Sequence, residues 1–127
     1  MNTNADLVRR ALAFHQAGQI AEAAQTYQLA IDSNANRPNA FHLFGLLCHE
    51  QGDSQQAIDL ISRAIAFRPD VGQLHNSLGV VRMAIGEWTT AAESLHTALI
   101  HVPTLVDAQR NLSKMQVTTG RLVATST

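Results

Sequence analysis

Apolar and polar positions recur along this chain with the spacing of helices rather than strands. Ala57, Ile58, Ile61, Ala64 and Ile65 fall on one helical stripe, with polar residues between them. The same spacing predicts helices near 5–17, 20–33, 38–50, 54–67, 72–84, 88–101 and 105–119, with 1–3 and 121–127 as frayed ends. Glycine and proline separate the blocks. Gly18, Gly52, Gly86 and Gly120 stand 34 residues apart, each read as lying between two helical patterns. Glycine closes a helix there because it takes the left-handed conformation at low steric cost. Pro69 and Pro103 end the second helix of a pair, since proline lacks the N–H that a continuing helix needs. Pro38 opens a helix, where a missing donor is harmless.

The 34-residue period extends beyond the turns. Gly45 and Gly79 form a second series, which continues to the small residues Ala11 and Ser113. Ala23, Ala57 and Ala91 form a third, and Ala30, Ala64 and Ala98 a fourth. With units starting at Asn4, Pro38 and Gly72, the second unit reads Phe41, Phe44, Gly45, Cys48, Ala57, Ile61, Ala64, Pro69. The third reads His75, Leu78, Gly79, Arg82, Ala91, Leu95, Ala98, Pro103. The first is more degenerate, with Ala35 in the proline position. This register resembles the tetratricopeptide repeat (TPR), whose signature places small and large residues in that order. The resemblance implies an all-α, right-handed α-solenoid over residues 4–120. It would hold three helix–turn–helix units (4–37, 38–71, 72–105), a C-terminal capping helix at 105–119 and a flexible tail at 121–127. Gly45 and Gly79 are expected to face Ala57 and Ala91 where paired helices approach closely, with Phe44, Leu78, Ile61 and Leu95 between neighbouring units. The cap carries Gln109, Ser113 and Gln116 where the second unit has Phe41, Gly45 and Cys48, so that face is expected to meet water.

Composition narrows the function. Nine Lys+Arg against ten Asp+Glu give a net charge of −1, without the basic excess of nucleic-acid binders. Aromatics are 5% and 19 residues are alanine, which favours helix over a β-sandwich. One cysteine, Cys48, cannot form an internal disulfide, so nothing points to an oxidising compartment, and a cytoplasmic setting is expected. The longest apolar run, about Leu43 to Cys48, is far short of the roughly 20 residues that cross a bilayer, so membrane insertion is not expected.

The resemblance also implies a site. First helices of such repeats line a groove that binds extended peptides or helices of partner proteins. Carried over by repeat position, its residues are Arg9, Leu12, His15, Asn39, His42, Leu46, His49, Gln73, Asn76, Val80, Met83, Arg110, Asn111 and Lys114. Leu12, Leu46, Val80 and Met83 would form an apolar track, and the amides of Asn39, Gln73, Asn76 and Asn111 could bond a peptide backbone. A subtype that grips chaperone C-terminal carboxylates uses Lys, Asn and Arg where this chain has Val8, Leu12, Leu43, Gln73 and Ser77, so that clamp is absent. His15, His42 and His49 are expected to be solvated groove residues that take up charge near their ordinary pKa of about 6.5 and then repel a cationic partner. His42 and His49 lie about 10 Å apart along one helix, too far to share a metal ion, so no metal is expected. No nucleophile–base spacing or phosphate loop stands out, and Cys48 takes a core-facing position. The expected function is a non-catalytic protein–protein interaction module without cofactors, binding a partner peptide or helix. An accessory domain of a transferase-type enzyme and a self-assembling, homo-oligomeric scaffold are the alternatives.

Overall fold

The computed structural model describes the backbone of residues 3–34 and 37–126 and the side chains of 6–34 and 37–117. The described residues are helical with no strand: α1 Thr3–Gln16, α2 Ile20–Asp32, α3 Arg37–Glu50, α4 Ser54–Phe67, α5 Gly72–Ala84, α6 Trp88–His101 and α7 Val106–Ser126. The first six match the spacing-based expectation to within two residues at each end. α7 runs past the expected end at 119, through the segment expected to fray, and Gly120 lies inside it rather than closing it. The side chains of 118–127 lie outside the described residues.

The chain divides into two compact units, Met1–Arg68 and Pro69–Thr127. In the first, α1 pairs with α2 and α3 with α4, and α3 also packs on α2 and α1. In the second, α5 pairs with α6, and α7 packs on both. Each hairpin turn is built alike. Gly18, Gly52 and Gly86 have φ of 77°, 87° and 79°. The residue after each glycine donates its N–H back five positions: Gln19 to Phe14, Asp53 to Cys48 and Glu87 to Arg82, at 2.8–2.9 Å. This bond satisfies a carbonyl that a helix end would otherwise leave open. Asp53 adds a side-chain cap, accepting from the Gln56 N–H at 3.1 Å.

The close approaches sit where the small residues recur. A Cβ on Gly45 would lie 2.7 Å from Ile61 Cγ1 and 3.2 Å from the Ala57 carbonyl oxygen. On Gly79 it would lie 2.8 Å from Leu95 Cδ2 and 3.4 Å from the Ala91 oxygen. Ile61 and Leu95, expected between units, therefore lie against the glycine of their own hairpin, and both are fully buried. Gly72, which the repeat left unexplained, makes a third such approach, to the Ala98 carbonyl at 2.9 Å and Val102 at 2.8 Å. The core is small and tight. Ala11, Ala23, Tyr27 and Leu47 form one cluster, flanked by Phe14, Leu43 and Phe44. Leu95, Ala98 and Ala108 form another, flanked by Met83 and Leu112.

Candidate functional site on the first helices

The expected site residues lie on α1 and α3 of the first unit and on α5 and α7 of the second. In the first unit, Arg9 and Asn39 are exposed, and Leu12, His42, Leu46 and His49 are half-buried. Arg9 pairs with Asp6 at 3.6 Å across one helical turn. The described residues include no group of three or more His, Cys, Asp or Glu side chains able to hold a metal ion.

His15 departs from the solvated groove residue that was expected. Its side chain is 12% exposed and held on both sides. Nε2 lies 2.7 Å from Glu50 Oε2, and Nδ1 lies 3.0 Å from the Tyr27 hydroxyl. A carboxylate only accepts, so Nε2 carries the proton; in the neutral ring Nδ1 then accepts from the phenol. Tyr27 is fully buried, edge-on to His15 and stacked on Phe44 at 5.8 Å between centroids. Burial, with Glu50 nearby, pushes the Tyr27 pKa up to about 12, so the phenol stays a donor at any working pH. Sequence reasoning placed His15 but did not pair it with Tyr27 or Glu50. The available signal was a tyrosine at the position where the other units have Ile61 and Leu95, since a buried hydroxyl needs a partner.

Burial lowers the pKa of His42 below its ordinary 6.5. The sign follows: the folded chain favours the neutral ring, so this contribution to stability is complete above pH about 6.5 and is lost as pH falls through the lowered folded value. Replacing His42 with leucine is expected to flatten the acid limb of the stability–pH curve, read as urea midpoints from neutral to mildly acidic pH. An unchanged limb would contradict it. Burial, reinforced by Asp53, raises the Cys48 thiol, which favours the inert thiol over the reactive thiolate.

In the second unit, Gln73, Arg110 and Lys114 are exposed, and Val80, Met83 and Asn111 are half-buried. Met83 packs partly on the Leu95 cluster. Asn76, expected to offer its amide to a ligand, is 5% exposed, and its Oδ1 accepts from Asn111 Nδ2 at 3.1 Å. Arg110 pairs with Asp107 at 3.6 Å. Elsewhere in this unit His75 stacks on His101 at 5.6 Å and donates from Nε2 to the Pro69 carbonyl at 2.8 Å. The arrangement offers half-buried apolar side chains beside exposed amides and charges, which suits contact with a polypeptide. No helix among the described residues is long and apolar enough to cross a membrane.

Structures of the same fold include the first TPR of Spaghetti (RPAP3) bound to the HSP90 peptide SRMEEVD, with a TM-score of 0.86 at 16% identity over 92% of this chain and 93% of that one. The Sgt2 TPR domain from Aspergillus fumigatus has a TM-score of 0.90 at 13% identity, over 98% of this chain and 83% of that one. A mutant O-GlcNAc transferase from Thermobaculum terrenum has a TM-score of 0.78 at 26% identity, over 91% of this chain but 23% of that one. No curated protein sequence matches the chain. Two sequence profiles described as tetratricopeptide repeat match residues 10–31 and 49–106. The all-α, TPR-type solenoid class expected from the sequence is therefore borne out, and the chain belongs to the tetratricopeptide repeat family.

Proposed function

We propose that the chain is a non-catalytic module that holds a segment of a partner protein on the exposed faces of its first helices. The observation that carries this reading is a fold shared with a TPR domain that holds a peptide of HSP90. The half-buried side chains of Leu46 on α3 and Val80 on α5 support it, because they offer apolar contact without being sealed in the core. The ligand differs in kind from a chaperone tail gripped by the usual clamp: Val8, Leu12, Leu43, Gln73 and Ser77 supply no cation, and Val8 and Ser77 are buried. A cytoplasmic setting is part of the reading, supported by the lone Cys48.

The test starts from peptides selected on the full chain from a random library. Leu46→Asp and Val80→Asp should each weaken the selected peptides at least about tenfold, since a buried Val or Leu contact is worth about 1.5–3 kcal/mol. Undiminished affinity in both variants would contradict the reading. A second reading, an accessory domain of a transferase-type enzyme, is favoured by the 26% identity to the O-GlcNAc transferase. Its mark would be transferase-type coding sequence continuous with this chain. Light scattering across a concentration series separates both from a self-assembling scaffold.

A further inference from the structure

One face of α7 is exposed. Val106 and Val117 are 58% and 55% exposed, two of the most exposed large apolar side chains among the described residues. Arg110 and Lys114 lie between them, also exposed. The spacings of four, four and three residues bring all four onto one stripe, about 16 Å long at 1.5 Å per residue. Arg110, Ser113, Lys114 and Val117 line an open depression of about 540 Å³. The packed seam of α7, through Ala108 and Met115, points elsewhere. Arg110, Lys114 and Arg121 against Asp107 give α7 a charge of +2, the largest positive excess of the seven helices.

Water-facing cap residues would explain the charges but not the valines at both ends of the stripe. We propose that this face of α7 binds an acidic segment of a partner protein, with carboxylates on Arg110 and Lys114 and flanking apolar side chains on Val106 and Val117. About five residues of extended chain span the stripe, at about 3.3 Å per residue. The Asp107–Arg110 pair, at 3.6 Å and exposed, is weak enough for a ligand carboxylate to displace. Ser113 lies in the same depression and offers a hydroxyl to the ligand backbone. The assignment rests on the binding-module reading and names the partner chemistry for one part of it.

The test uses two fluorescent peptides on the full chain: adjacent glutamates flanked by leucines, and the same peptide with glutamine for glutamate. The glutamate peptide should bind at least about tenfold tighter, and the gap should shrink as salt rises. Arg110→Glu with Lys114→Glu should abolish the gap, and the milder Arg110→Gln with Lys114→Gln should narrow it while circular dichroism shows the helices intact. Val117→Ser should weaken both peptides. Equal binding of the two peptides would overturn the assignment and leave the module reading standing. A gap untouched by charge reversal, binding of neither peptide, or concentration-dependent self-association that Arg110→Glu abolishes in place of peptide binding would overturn it as well.

Discussion

Replacing Gly79 with leucine is expected to destabilise the second unit by about 3 kcal/mol, or roughly 10 °C in melting temperature. A single Cβ there would already stand 2.8 Å from Leu95 Cδ2 and 2.9 Å from its Cγ. Leu95 is fully buried and the Ala91 carbonyl lies behind, so a larger side chain can enter only by prising α5 from α6. Gln109→Ala is the control. It removes an exposed hydrogen bond to the Pro103 carbonyl, so it should change the melting temperature by no more than a few degrees. Equal melting temperatures for the two variants would refute the close-approach account of the small-residue series.

The second large effect is expected at Tyr27. Tyr27→Ala should cost about 4 kcal/mol, the range for truncating a buried aromatic. It empties a fully buried position in the Ala11–Ala23–Leu47 cluster and removes the ring stacked on Phe44. Tyr27→Phe separates the hydroxyl from the ring. It keeps the packing but leaves Nδ1 of His15 without its donor, so it should cost about 1–2 kcal/mol. Denaturant unfolding of both variants checks the pair. Equal costs would assign all of the effect to the hydroxyl, and no cost for the phenylalanine variant would remove the His15 bond from the account.

Five helices were legible because a stereochemical stop follows them: α1, α3 and α5 run into a glycine turn, and α4 and α6 end just before a proline. Gly18, Gly52 and Gly86 do take positive φ, as their place in the series predicted. Gly120 shares that spacing but not that role. One glycine costs a helix interior only about 1 kcal/mol. α7 therefore continues through Arg121, Leu122 and Ala124, which are good helix formers. Gly72 was opaque for the opposite reason. Pro38 and Asn4 hold its position in the other units, so no series marked it as a close approach.

The side-chain partners were harder to read than the backbone. His15 reaches Glu50, and Asn76 reaches Asn111, each 35 residues on, one repeat plus one. Both contacts join neighbouring first helices, and helical periodicity within one helix carries no information about them. A 34-residue alignment instead sets His15 beside His49, and Asn76 beside Arg110. The residue that completes the contact is then taken for an independent groove position. Hence the amide of Asn76 and the imidazole of His15 read as ligand-facing, although the structure gives each a partner within its own unit.

The central claim is that recognition belongs to the first helices, α1, α3, α5 and α7. Amide hydrogen exchange on the full chain, with and without a peptide selected from a random library, tests it most directly. The account predicts that added protection centres on residues of those four helices, including those around Leu46, Val80 and Arg110. Protection centred instead on α2, α4 and α6 would contradict it.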